Sequence, residues 1–224
     1  MVAIIIVLVL AFALVALPMI WIERTIEKHA GERADIPYTG AEFARRALDA
    51  MKLTNVRVEV TELGNHYDPE AKAVRLEPRL FNGHSLAAVT IAAHEVGHAM
   101  QDAMELPIFV RRQTLIRRTR IIAWIAQASL FAAPIMLILG RGPAFLVLNV
   151  IGFVGATLTS IAVQATTLPV EFDASFKRAM PLLEKGRFIE EQDMPKAREL
   201  LRAAAYTYVA GLLRTLITIP ILRR

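Results

Sequence analysis

Cysteine is absent from the 224 residues. That excludes disulfides, thiolate metal ligands and a cysteine nucleophile, and it agrees with a reducing compartment. Histidine is scarce, at five residues, so a site built on imidazole has few places to be. Aromatic residues make up 7% and are not interleaved with the basic ones, so the net charge of +5 gives no reason to invoke nucleic acid. Internal repeats and low-complexity segments are missing too. Nothing implies a second domain, and the expectation is one unit over residues 1–224.

Charge is missing from long stretches of the chain, which is 55% hydrophobic. Val2 to Ile22 carries none, and about 20 apolar residues cross a hydrocarbon core. The basic start and small-residue cleavage site of a signal peptide are not evident there, so this block reads as an uncleaved anchor. Ile121 to Leu139 and Ala144 to Val163, separated only by Gly140-Arg141-Gly142-Pro143, read as a transmembrane hairpin. Ala203 to Leu222 is a fourth apolar block, with Arg214 near its middle as an obstacle to lipid exposure. Arg111, Arg112, Arg117, Arg118 and Arg120 precede the hairpin, and Lys177, Arg178, Lys185 and Arg187 follow it. The positive-inside rule therefore puts residues 23–120 and 165–202 in the cytoplasm. The expectation is a multi-pass protein of the cell (inner) membrane, in contact with lipid, whose chemistry faces the cytoplasm. No residue pattern sets an oligomeric state.

What is present is His94-Glu95-Val96-Gly97-His98, the HExxH spacing of a zinc hydrolase. The surrounding residues from Ser85 to Met104 read as one helix, with Ser85 as its N-cap after Asn82-Gly83. The helix is apolar on nearly all sides and so runs through a core. Residues i and i+4 share a helix face, so both imidazoles can converge on one ion, while Glu95 can take a proton from bound water. Two histidines and a glutamate buried without a partner would cost several kcal/mol.

A catalytic zinc takes three protein ligands and keeps a fourth position for water. With no cysteine, the third ligand must be His, Asp or Glu. Glu171 in Leu168-Pro169-Val170-Glu171 is the first candidate, with Pro169 suited to the first turn of a helix from about Leu168 to Glu184. Asp173, His66 and His84 remain alternatives on spacing alone. Compensation of a helix dipole would equally explain an acidic residue in a first turn. A further helix is expected from about Met194 to Ala203.

Upstream, Thr39 and Glu42 form a capping box for an amphipathic helix reaching about Lys52. Val56, Val58 and Val60 alternate with polar residues, and Ala73, Val74 and Leu76 mark a second short strand, together suggesting a β-hairpin. The Val74 strand is the expected edge for holding an extended substrate. His66 and Tyr67 are candidates for stabilising an oxyanion, although a turn role for His66 beside Asp68-Pro69 fits equally well. His29 and His84 read as solvated surface.

The stretches His66-Tyr67-Asp68-Pro69, Ser85-Leu86-Ala87-Ala88 running on into the HExxH helix, and Leu168 to Ser175, in this order around a hairpin, resemble the YugP-type family of membrane zinc metallopeptidases nearly end to end. The Glu171-Phe172 element also resembles the downstream glutamate motif of HtpX-type membrane proteases. The resemblance implies one zinc ion held by His94, His98 and Glu171, with Glu95 as general base acting on a peptide or protein substrate. Asp173 stands where asparagine is expected in that family, which leaves it a second carboxylate beside the ligand. The expected fold is a mainly α membrane protein: an N-terminal anchor, a transmembrane hairpin and a C-terminal apolar helix, with a zincin-like cytoplasmic helical domain carrying the β-hairpin. The alternative is a catalytically silent membrane scaffold or adaptor stabilised by zinc.

Overall fold

The computed structural model describes residues 16–139 and 142–206. Residues 2–15 of the expected anchor, part of the hairpin turn, and the fourth apolar block beyond residue 206 lie outside the described residues. Helix α1 covers residues 16–28. Helix α2, Gly40–Ala50, starts where the capping box requires: Glu42 N–H donates to Thr39 Oγ1 at 3.1 Å and Thr39 N–H to Glu42 Oε2 at 2.9 Å. Its stripe of Phe43, Ala44, Ala47 and Leu48 is buried. Helix α3, Pro78–Asn82, leads into α4, Leu86–Ala103, whose N-cap Ser85 Oγ accepts from Ala88 N–H at 3.1 Å. Every residue of α4 from Leu86 to Ala99 is buried, so α4 is the axis of the core.

The β element is a mixed sheet of three strands, and the expected hairpin between the Val58 and Val74 strands is not formed. Strands β1, Arg57–Val60, and β3, Ala73–Leu76, run parallel, with Val58 opposite Val74. Strand β2, His66–Asp68, is antiparallel to β3, with Tyr67 opposite Val74. The tight turn that sets this pairing lies after Asp68, whose Oδ1 accepts from the N–H groups of Glu70 and Ala71 at 2.9 Å each. In the order β1-β3-β2 the Val74 strand is central, with both backbone edges occupied. It therefore cannot accept a substrate strand, and β2 is the edge near α4.

Helix α5, Pro107–Ile138, packs beside α6, Gly142–Phe172. The helix predicted to begin near Leu168 instead continues from α6, and Pro169 lies inside it. Proline removes the bond to the carbonyl four residues back and its ring crowds that carbonyl, yet a helix already under way can pass through it where its surroundings hold it. After Phe172 the chain widens into a π-helix, Asp173–Ala179, in which Met180 N–H bonds to Ser175 O, and then narrows to α7, Met180–Lys185. Helix α8 covers residues 194–206. Among the described residues one helix, Phe145–Lys185, is long and apolar enough to cross a membrane, with mean hydropathy 2.1 and none of its apolar window buried. Leu146, Val147, Ile151 and Leu158 on α6, and Trp124, Ile125 and Ile138 on α5, are exposed.

Candidate metal centre

His94 and His98 lie one turn apart on α4, their ring centroids separated by 4.7 Å. The Nε2 atom of each is 3.2 Å from the same oxygen, Oε2 of Glu171, at the junction of α6 and the π-helix. One ligand-capable atom from each of the three residues falls within 4.8 Å of the others, and all three residues are buried. The approach of the two helices depends on Gly97: a Cβ there would lie 2.7 Å from the carbonyl oxygen of Ala174.

Hydrogen bonds set the state of both rings. Ser175 Oγ donates its one hydrogen to Leu201 O at 3.2 Å and therefore accepts from His94 Nδ1–H at 3.0 Å. The amide nitrogen of Gln101 donates to Val170 O at 2.8 Å and to Asp173 Oδ1 at 3.0 Å, so Gln101 Oε1 accepts from His98 Nδ1–H at 2.9 Å. In the neutral rings both Nε2 atoms then carry lone pairs turned toward the Glu171 carboxylate. Three acceptors meet without a donor, and Glu171 Oε1 is buried with no hydrogen-bond partner. A donor set of two imidazole nitrogens and a carboxylate, each imidazole held from behind, fits zinc.

Asp173, the second carboxylate, is turned away from this cluster. It accepts from Gln101 and from Arg178 Nε at 3.1 Å, the latter an i,i+5 pair that π-helical geometry stacks. It reaches the site only through Gln101 and His98. His84 is also elsewhere, with Nδ1 3.2 Å from Ile36 O. His29 is not the solvated surface residue expected from the sequence: its ring is nearly buried and lies 3.4 Å from Glu199 Oε2.

A cavity of about 540 Å3 opens on the cluster, lined among others by Glu95, His66, Tyr67, Arg112 and Gln164. Burial pushes the Glu95 carboxyl up to about 7, and the charge of Glu171 adds to the rise; a backbone N–H of Tyr67 and the charge of Arg112 act the other way. His66 Nδ1–H donates to Gly64 O at 2.8 Å while its ring lines the cavity. The Tyr67 hydroxyl is committed elsewhere, donating to Asp102 Oδ2 at 2.6 Å. Burial, then that hydrogen bond, pushes its pKa up. A larger cavity, about 690 Å3, lies between Tyr38, Phe188 and Asp193, away from the cluster.

Four residues of this arrangement do not figure in the sequence reading as site residues: Gly97, Gln101, Ser175 and Arg112. Gln101 at i+3 from His98 and Ser175 at i+4 from Glu171 have helix-face spacing, which is the signal that marks them.

A family model described as "Putative neutral zinc metallopeptidase" matches residues 4–222. "Putative membrane protease YugP" of Bacillus subtilis (strain 168) is 37% identical over 199 residues, covering 87% of this chain and 84% of that protein. No solved structure matches.

Proposed function

The chain belongs to the neutral zinc metallopeptidase family, and from that premise we propose that it is an integral membrane peptidase in which His94, His98 and Glu171 hold one zinc ion and Glu95 is the general base. The observation that carries the reading is the meeting of two tautomer-fixed Nε2 lone pairs with a carboxylate that has a second, unpartnered oxygen. Zinc bound there supplies Lewis acidity, activating a water and polarising the scissile carbonyl.

The chain's own groups do the rest. Glu95, on the helix between the two histidines and facing the same cavity, takes the water proton and passes it to the leaving amine. The β2 edge, carrying His66 and Tyr67 into the cavity wall, aligns an extended peptide by main-chain hydrogen bonds. His66, whose ring lines the cavity with Nδ1–H tied to Gly64, is the side chain we assign to the side of the developing oxyanion. The substrate is a peptide or protein. The apolar α5 and α6 lie in the bilayer as part of a multi-pass arrangement, with the catalytic parts in the cytoplasm as the arginines before α5's apolar stretch direct. A zinc-stabilised scaffold has no use for a carboxylate that lines an open cavity beside the three ligands, so the peptidase reading is preferred.

The test is zinc content and cleavage of an unfolded protein, measured together on detergent-purified wild type, H94A, E171A and E95Q. About one zinc per chain in wild type, lost in H94A and E171A and kept in E95Q, with cleavage only in wild type, is the expected result. Full cellular function in E95Q would favour the scaffold.

A further inference from the structure

Helix α5 carries a stripe that the metal centre does not use. Val110, Gln113, Thr114, Arg117 and Arg118 follow the i, i+3, i+4, i+7, i+8 spacing of one helix face and line a cavity of about 510 Å3, together with Lys72 of the β2–β3 turn and Asp102 at the end of α4. That volume is within the range of small-ligand pockets, roughly 300–1,000 Å3.

The charge of this lining is unbalanced. Among its described residues Asp102 is the one acid, and it is already engaged by the Tyr67 hydroxyl at 2.6 Å and by Lys72 Nζ at 2.5 Å. Arg117 and Arg118 are exposed, and among the described residues their side chains have no ion pair or hydrogen bond; nor have those of Gln113 and Thr114. The next threonine on the helix, Thr119, instead bonds back to Leu115 O at 2.8 Å. Two cations and two neutral groups able to donate are thus gathered on one wall, which is the donor set of a phosphate site.

Depth decides what brings the phosphate. Arg117 and Arg118 stand four and three residues before Ile121, where the apolar stretch begins, so they are about 6 and 4.5 Å from it along the axis. A headgroup layer is roughly 5–7 Å thick on each side of the hydrocarbon core, and arginines near a helix end extend into it. Orientation of the chain in the membrane is served equally by Arg111 and Arg120, which do not line the cavity, and it needs no threonine or glutamine beside the charge. The surplus of two positive charges disfavours the ammonium of a zwitterionic headgroup and favours a net anionic one.

We infer that this cavity binds the phosphodiester headgroup of an anionic phospholipid, with Arg117 and Arg118 as its main contacts. The inference goes beyond the peptidase reading and rests on its placement of the apolar stretch of α5 in the bilayer.

The experiment titrates the full-length protein in non-ionic detergent with phosphatidylglycerol or phosphatidylcholine and counts bound lipid by native mass spectrometry, for wild type, R117Q/R118Q and R111Q/R120Q. The last variant removes the same charge from the same end of α5 outside the cavity. Wild type should bind phosphatidylglycerol at least about tenfold more tightly than phosphatidylcholine, since each arginine near a membrane surface is worth about a factor of five. R117Q/R118Q, with melting temperature and zinc content unchanged, should lose that preference, and R111Q/R120Q should keep it. Equal affinity for the two lipids in wild type, or equal loss in the two double variants, overturns the inference. Displacement of phosphatidylglycerol by millimolar inorganic phosphate or by a glutamate-rich peptide assigns the cavity to a soluble anion and overturns it too. Flotation of wild type with phosphatidylcholine vesicles after detergent removal is run in parallel. A chain that does not float sinks the membrane placement and the inference with it, whereas a chain that floats but binds both lipids alike sinks the inference alone.

Discussion

Gly97 and Ala174 meet backbone to backbone, so closely that a Cβ on Gly97 would stand 2.7 Å from the Ala174 carbonyl oxygen. Both atoms belong to helix backbones, and neither side can yield locally. G97A is therefore expected to push α4 off the π-helix and separate Glu171 from the two histidines. The cost should be in the range of overpacking, about 1–3 kcal/mol, with zinc affinity falling as well. Thermal unfolding and chelator competition on the same preparation check it; unchanged zinc affinity would mean the helices do not need this contact.

Gln101 is buried and makes three hydrogen bonds, to His98, Val170 and Asp173. Q101L leaves His98 Nδ1–H without its acceptor, takes the side-chain donor from the Val170 carbonyl and leaves the Asp173 carboxylate to Arg178. A loss of roughly 1–3 kcal/mol in stability and about 10–100-fold in zinc affinity is expected. Zinc titration against a competing chelator gives the second figure directly.

Asp173 faces Gln101 and Arg178. D173N should accordingly keep one zinc per chain, with affinity reduced far less than in E171Q. Zinc loss equal in the two variants would return Asp173 to the list of ligands.

Burial sets the Glu95 carboxyl at about 7 against an ordinary 4.5. The folded, metal-free protein then holds this proton more tightly than the unfolded chain. The group's contribution to stability declines as pH rises from about 4.5 through 7, and the full penalty is present above that window. E95Q removes the titration, so in the metal-free protein it should raise the melting temperature at about pH 8 and have little effect below about pH 4.5. The upper bound on the difference is on the order of 3 kcal/mol. A pH-independent effect of E95Q on melting would rule out this burial account.

With Glu95 in the proposed role of general base, activity has the opposite dependence, because such a base works only when deprotonated. The acid limb of kcat/KM should fall at or below about pH 7, the value in the metal-free site, since a bound cation favours the carboxylate. Steady-state rates with a peptide substrate across that range are the check. An acid limb well above pH 7 would assign it to another group.

The local features of α2 and α4 were legible because their signals are local: Thr39 with Glu42, Ser85 before an apolar run, and histidines four apart. Glu171 was legible as a candidate by the same logic of nearby motif and topology. The strand partners were not, since Val58 and Val74 have the same alternation whether they pair parallel or antiparallel, and the deciding turn at Asp68 served β2 instead. Pro169 suggested a helix start because proline suits a first turn, but a continuous helix can carry it when the chain on either side is already held. The inward roles of Gln101 and Arg112 needed the third dimension. Each sits in a polar run at the end or start of a helix, where sequence alone reads solvent.

Glu171 and the apolar stretch of α6 occupy one unbroken helix, while His94 and His98 ride on α4 in the core. The metal cluster is therefore a seam between two halves of the chain, present only while they are joined. A fragment ending before α6 would keep both imidazoles and their neighbouring glutamate and still have no place for the ion. With the proposed ligand set, anything that detaches the apolar helix from α4 takes the third donor with it, and makes loss of the metal and loss of that docking a single event.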